Sequence, residues 1–354
     1  MQQVDYLLIG QGISGTMLSY ELHKQNKSFI IIDEANEYTA SKVASGVINP
    51  VTGRQIITTW LADKLFAKAW EAYQEMGYLL GDTFIEELPM YSFPLTAQMQ
   101  EAYAESMLKQ DTYIFMNEHF GNYHQYFNTY FGSALIKPVY MVQLQNLLAK
   151  WRLYLVNKQK IINEKFEVSA LQMLPDGIVY KQINATKIIF CDGISSYTLP
   201  YFKNLPYVYN KGEALIVNIP QLPVNNLYKF GTLTIVPWQK GLWWVGSSYE
   251  NNPADALPSA PFRMQKEKQL NELLKIPYQV VNHLAAIRPA TMERRPFVGL
   301  HPLHNNIGIF NGMGTKGTSL APYFAAEFVA SLVNNAPLHP EVNINRYRKI
   351  LSMA

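Results

Sequence analysis

Gly10, Gly12 and Gly15 stand in the spacing Gly-x-Gly-x-x-Gly, a pattern suited to holding an anionic ligand. Gly10 permits a tight turn, Gly12 lets the backbone approach a pyrophosphate, and Gly15 lets a helix pack closely on a strand. The following helix offers the free amides of its first turn, at Ile13 and Ser14, and its positive dipole end to the phosphates. An acid must then take the adenosine ribose hydroxyls. Asp33 fits because it closes the next apolar run, and Glu34 beside it is the alternative.

Three further segments suit the same ligand. A second glycine-rich loop, Gly312-Met313-Gly314-Thr315-Lys316-Gly317-Thr318, leads into an apolar helical stretch and so supplies another helix N-terminus. The apolar run Lys187 to Phe190 stops at Cys191-Asp192-Gly193, and in nucleotide-binding folds such small residues pass under the cofactor. Cys191 reads as a small packed residue, since no histidine nearby in sequence activates it as a nucleophile. Residues Tyr38 to Arg54 form a long, small-residue loop where a nicotinamide domain would continue to its next strand. That length suits a larger cofactor to be wrapped, with Ser45, Gly46 and Asn49 as contacts. NAD is disfavoured because it leaves the second glycine loop without a task.

The elements that position these residues follow from hydrophobic periodicity. Strand Val4 to Ile9, helix Thr16 to about Gln25 and strand Phe29 to Ile32 make a βαβ unit. Helices are expected around Trp60 to Met76, Met141 to Trp151, Pro258 to Ile276 and Ser319 to Val333. Strands are expected at Phe166 to Leu171, Gly177 to Tyr180, Lys187 to Phe190, Glu213 to Ile219, Leu233 to Pro237 and Leu242 to Ser247. Eight Tyr and Phe crowd Tyr113 to Phe131 without a single period, so short strands and turns fit better than an amphipathic helix. These aromatics, with Trp238, Trp243, Trp244 and Tyr249, are read as core and as the ceiling of a ligand cavity.

Composition bounds the remaining choices. With 354 residues, two domains are the natural first guess, and 48% hydrophobic against 16% charged excludes wholesale disorder. A net charge of +3 argues against a dedicated nucleic-acid binder. One cysteine excludes an internal disulfide framework and a multi-cysteine metal site, and fits a reducing, cytoplasmic setting. No metal-ligand spacing or Ser–His–Asp phrase is present, and no apolar stretch is long enough for a membrane span.

The stretches Ala285 to Gly299 and Ile307 to Pro322, taken with the N-terminal glycines, resemble the flavin-dependent D-amino-acid oxidase and glycine oxidase family. That family includes sarcosine oxidase and the oxidase domain of the bifunctional enzyme that matures carboxymethylaminomethyl-uridine in tRNA. The phrase Gly-x-Gly-Thr-Lys-Gly-Thr-Ser-Leu-Ala-Pro is most similar to this last member. The segments Lys211-Gly212-Glu213 and Val245 to Glu250 also resemble family phrases.

The resemblance implies FAD, bound noncovalently because no cysteine lies near the Arg288 segment where sarcosine oxidases place theirs. It implies an α/β fold, α+β overall: a Rossmann-like FAD-binding domain (1–80, 136–204 and 286–354) interleaved with an antiparallel β-sheet substrate domain (81–135 and 205–285). It makes Arg288 the residue that binds a substrate carboxylate and turns the substrate Cα–H toward flavin N5. Lys316 adds charge at the flavin or assists its reaction with oxygen, and Arg54, Trp244 and Tyr249 line the site. The implied activity is oxidation of the C–N bond of a small amino acid or N-substituted glycine by hydride transfer. This gives an imine that water hydrolyses, with molecular oxygen or another acceptor reoxidising the flavin. One alternative places the secondary amine on a tRNA uridine, and another is a non-catalytic flavoprotein scaffold.

Overall fold

The computed structural model describes residues 1–53, 56–109, 112–117 and 120–352. Its first sheet is built on four apolar runs that lie parallel, in the order Phe29–Ile32, Gln2–Ile9, Ile183–Phe190 and His304–Asn311. Runs this apolar need cover on both faces, which is the condition of a buried parallel sheet. In Gln2–Ile9, Leu8 faces a core shared with Met17, Tyr73, Trp151 and Phe324 of four helices: Ile13–Lys24, Ala62–Leu80, Leu144–Asn157 and Gly317–Asn334. Leu7 and Ile9 face the opposite core, with Phe190, Phe202, Ile309 and Ile344. Each such side chain contributes about 2 kcal/mol on burial, so the alternation fixes the register. The short strand Ile161–Ile162 extends one edge, and Leu171–Leu174 with Gly177–Tyr180 adds an antiparallel hairpin beside Ile183–Phe190.

The second sheet has nine strands and takes its members from residues 90–136 and 207–291. Toward one edge Tyr207–Asn218 pairs with Trp243–Gly246 and Glu250–Asn251 on one side and with the 13-residue edge strand Gln279–Thr291 on the other. The expected domain boundary between residues 285 and 286 falls inside this last strand. Alternation again sorts the side chains. Leu215, Val217 and Trp243 join one core, whereas Ala214, Ile216 and Trp244 join the other. Trp243 and Trp244, adjacent in sequence, therefore belong to different surroundings.

Several elements depart from the sequence expectation. The segment Phe166 to Leu171 is not one strand. Phe166 stacks on Tyr180, with ring centroids 5.0 Å apart, a short turn covers Val168–Ala170, and pairing begins only at Leu171. Strand Leu227–Phe230 and helix Ala97–Met107 were not expected. The polar helix is Ala260–Leu273, started by Ser259, whose Oγ accepts the Phe262 amide at 3.4 Å. Helix Ala62–Leu80 runs past the expected Met76 and stops at Gly81, which has φ +64°. Tyr123 and Phe127 from the aromatic-rich stretch pack on Phe93, Tyr228 and Phe230 in a closed core, away from the cavity lining. Among the described residues, no helix is long and apolar enough to cross a membrane.

Candidate active site

The parallel strands end together: Ile9 lies beside Ile32 and Phe190, and Phe190 beside Ile309. Their carboxyl ends open on a cavity of about 510 Å³, closed on the other side by residues of the second sheet. Open α/β sheets bind ligands at this end.

The first glycine turn forms one wall. Gly10 has φ +95°, and a Cβ there would lie 2.7 Å from the Cys191 carbonyl oxygen. At Gly15 a Cβ would lie 1.9 Å from the Gly10 carbonyl oxygen, so only glycine lets the helix sit this close to the strand. Gly12, Ile13 and Ser14 line the cavity, and Gly15 lies behind them. The Ile13 amide, expected to be free for the phosphates, instead donates to Ser41 Oγ at 2.9 Å.

Asp33 and Glu34 both reach the cavity, in different states. Asp33 Oδ2 accepts the Gln11 amide at 2.7 Å, while Oδ1 accepts the Ala35 amide at 2.9 Å and Arg152 Nη1 at 2.6 Å. Arg152 also donates to Gln11 Oε1 and Asn163 Oδ1, so it locks the turn and balances the acid's charge. Glu34 is exposed and has no ion-pair partner among the described residues.

Under the cavity lie Cys191, Asp192 and Gly193. Burial and the neighbouring Asp192 push the Cys191 thiol well above its ordinary pKa, which suits a packed residue and not a nucleophile. Enclosure raises Asp192 to about 7, against the opposing effect of its hydrogen bond from Ser196 Oγ. Asn311 joins this strand end to the next loop. Its Nδ2 donates to the Gly193 carbonyl at 2.8 Å, and its Oδ1 accepts the Gly312 amide at 2.8 Å.

In the second glycine loop, Gly314, Thr315, Gly317 and Thr318 line the cavity. Gly312 stands behind it, where a Cβ would lie 2.7 Å from Thr291 Cγ2. The helix begins at Gly317, and a Cβ there would lie 3.1 Å from Ile13 Cγ2. Two helix N-termini therefore meet at one place. Lys316 turns its Nζ away from the lining to donate to Thr59 Oγ1 at 3.2 Å. Burial, then Arg295 and Arg294, lower its pKa to about 8.

Arg288 projects from Gln279–Thr291 opposite Asn210, its partner in the ladder. Its guanidinium occupies the space a side chain at Gly212 would need: a Cβ there would lie 1.9 Å from Nη2. Nη1 donates to Asn210 Oδ1 at 2.6 Å, the Ser248 carbonyl at 3.1 Å and the Lys211 carbonyl at 3.4 Å. Among the described residues Arg288 forms no ion pair, and Nε and Nη2 make no hydrogen bond. Burial lowers its pKa to about 10, so it stays charged at neutral pH and has a free two-nitrogen edge.

The other expected residues divide. Trp244 lines the cavity and donates Nε1–H to the Val43 carbonyl at 3.0 Å. Tyr249 is exposed and near enough to Arg288 to favour its charge. Ser45, Gly46 and Asn49 are placed outside the lining, where they shape the loop. Gly46 has φ +83°, and Asn49 Oδ1 accepts the Val51 amide at 3.1 Å. From this loop Tyr38, Thr39, Ala40, Ser41, Val43 and Ala44 face the cavity. Arg54 lies outside the described residues. Sequence reasoning placed Asp192 under the cofactor only as part of Cys191-Asp192-Gly193 and gave it no role of its own. It missed Ser41, Arg152, Asn210 and Asn311, none of which carries a local signal.

A sequence model of the FAD dependent oxidoreductase family matches residues 5–332. The fold is similar to that of glycine oxidase from Bacillus cereus ATCC 14579, with TM-score 0.80 and 15% identity over 95% of this chain and 96% of that one. Iminodiacetate oxidase from Chelativorans sp. BNC1 gives TM-score 0.74 and 18% identity, covering 97% and 98%. L-alpha-glycerophosphate oxidase from Mycoplasma pneumoniae, with FAD bound, gives 0.71 and 17%, covering 97% and 98%.

Proposed function

The chain belongs to the FAD dependent oxidoreductase family, and from that membership we propose that it oxidises the C–N bond of a small amino acid or N-substituted glycine. Arg288 is the observation that supports this reading. It is a cavity-wall guanidinium held at one nitrogen by neutral oxygens, with Nε and Nη2 left for a ligand. A carboxylate takes two parallel donors of this kind, and a charge-assisted pair in an enclosed site is strong.

FAD is the family's cofactor, and the lining fits it. Two glycine-fed helix N-termini suit the pyrophosphate and a developing negative charge, and Asp33 and Glu34 suit ribose hydroxyls. Attachment is noncovalent in this proposal, because the one cysteine is a buried thiol with a raised pKa. When bound, FAD supplies a two-electron acceptor for the hydride leaving the substrate Cα. Arg288 binds the substrate carboxylate and thereby aims Cα. The walls formed by Trp244, Ala286, Met313 and Val43 exclude water around that pair and strengthen it. The substrate departs as an imine for water to hydrolyse, and oxygen or another acceptor closes the cycle.

The test is anaerobic bleaching of the flavin with glycine, sarcosine, D-amino acids, proline and carboxymethylaminomethyl-uridine. At least one carboxylate-bearing amine bleaches the wild type, and Arg288→Ala lowers the rate constant per unit substrate by about 100-fold or more. Protein that refuses FAD, or an Arg288→Ala variant as fast as wild type on every active amine, overturns the proposal.

A further inference from the structure

Arg288 is hydrogen-bonded to a residue that lies outside the cavity lining. Asn210 is fully buried and lies directly opposite Arg288 in the ladder. Its Oδ1 makes the shortest of the three bonds to Nη1, at 2.6 Å, and the other two come from main-chain carbonyls. Its Nδ2 donates to Asn251 Oδ1 at 3.1 Å and the Glu250 carbonyl at 3.4 Å. Those bonds fix which end of the amide faces the arginine. The amide therefore acts as an oriented neutral acceptor, secured from the far side by strand Glu250–Asn251.

Neutrality matters here as much as geometry. A carboxylate at this position would accept the same bond but would pair with the guanidinium and cancel the charge a ligand needs. The acids of the neighbouring strands are held elsewhere: Glu250 and Asp255 lie within 4 Å of Lys211 Nζ, and Glu213 accepts the Ser259 amide and hydroxyl and faces His283 Nε2. Arg288 meets only uncharged oxygens.

We propose that Asn210 is a positioning residue that holds the Arg288 guanidinium by Nη1 while reserving its charge and its Nε–Nη2 edge for a substrate carboxylate. This rests on the reading of Arg288 given above. The probes are acetate and its uncharged analogue acetamide, titrated into FAD-loaded protein and followed by the flavin absorbance. Thermal unfolding and bound FAD are measured on the same samples. Asn210→Asp and Asn210→Ala are expected to weaken acetate at least about tenfold, with acetamide binding and FAD content within about twofold of wild type. The Asp variant, near-isosteric but charged, is expected to lose more than the Ala variant. A merely structural role predicts equal losses for both probes, accompanied by a lowered unfolding temperature. Equal losses, or unchanged acetate affinity in both variants, overturn the proposal. An Arg288→Ala control separates the two levels of inference. If that variant binds acetate like wild type, the reading of Arg288 fails. If it loses acetate while both Asn210 variants keep it, only the role of Asn210 fails.

Discussion

Gly212→Ala adds one carbon and tests the placement of the substrate arginine. The new Cβ would lie 1.9 Å from Arg288 Nη2, 2.1 Å from Cζ and 2.7 Å from Nε. An ordinary contact begins near 3.4 Å, so the guanidinium must retreat by about 1.5 Å. Only a side-chain end stands in the way, with no backbone, so the protein is expected to fold and to keep its FAD. The retreat carries Nη1 out of reach of Asn210 Oδ1, now 2.6 Å away, and displaces the edge that meets the carboxylate. A misplacement of about 1 Å in a positioning group costs about 100-fold in rate. The expected result is a fall of that order in kcat/KM for the best carboxylate-bearing amine, with FAD content unchanged. Stopped-flow reduction under anaerobic conditions measures it. A Gly212→Ala variant that reduces as fast as wild type, while Arg288→Ala does not, would refute the placement of the guanidinium over Gly212.

Three other perturbations test separate parts of the structure. Gly15→Ala puts a Cβ 1.9 Å from the Gly10 carbonyl, where backbone and not side chain must move. It should cost about 2 kcal/mol or more, lower the unfolding temperature by several degrees and yield protein poor in FAD. His301, buried with its Nε2 unpartnered, has its pKa lowered to about 4, first by burial and then by His304. Its folded pKa lies below the unfolded 6.5, so its contribution is intact above about pH 6.5 and is lost as pH falls toward 4. The full loss is about 3 kcal/mol, and His301→Asn should flatten that slope in urea titrations across the range. Lys316, lowered to about 8, points Nζ at Thr59 outside the lining, so Lys316→Met should leave the kcat/KM profile within about twofold of wild type. An ionisation near pH 8 that wild type shows and Lys316→Met lacks would instead bring this amine to the reaction.

What could be read from the sequence is what the backbone itself demands. Gly10 and Gly15 are glycines because a carbonyl oxygen lies where a side chain would be, and that demand shows in residue type and spacing. Strand Leu233–Pro237 was legible for a similar reason, since its apolar run is short and bounded. Asn210, Arg152 and Asn311 were not. Each acts through partners far along the chain, 78 residues away for Asn210 and Arg288 and 119 for Arg152 and Asp33, and neither amides nor arginines announce such partners. Strand Gln279–Thr291 escaped notice because it lacks alternation: Asn282 and His283 break it at one end and Pro289 at the other. Helix Ala97–Met107 was missed because it buries only Met99, Tyr103 and Ser106 on an otherwise polar surface. Of the aromatic-rich stretch, Tyr123, Tyr126 and Phe127 serve the core of the second sheet and none lines the cavity, so only the core half of that reading fits. The rings that do line it are Tyr38, Phe166 and Trp244, the last turned there by strand alternation against Trp243.

The meeting of the two glycine-fed helices also governs when the protein can acquire its cofactor. Ile13 and Gly317 stand so close that a Cβ on Gly317 would lie 3.1 Å from Ile13 Cγ2, and strand Ile183–Phe190 lies between Gln2–Ile9 on one side and His304–Asn311 on the other. During synthesis the first βαβ unit leaves the ribosome long before the strand and helix that face it. Until those arrive, the pyrophosphate has half a cradle and the flavin end has none. A complete cradle for FAD therefore waits for strand His304–Asn311 and helix Gly317–Asn334, and binding clasps them to the first βαβ unit. At a free concentration 100 times its dissociation constant the clasp is worth about 2.7 kcal/mol. The yellow colour of a preparation then reports more than cofactor supply: it counts the molecules in which strand His304–Asn311 and helix Gly317–Asn334 have docked.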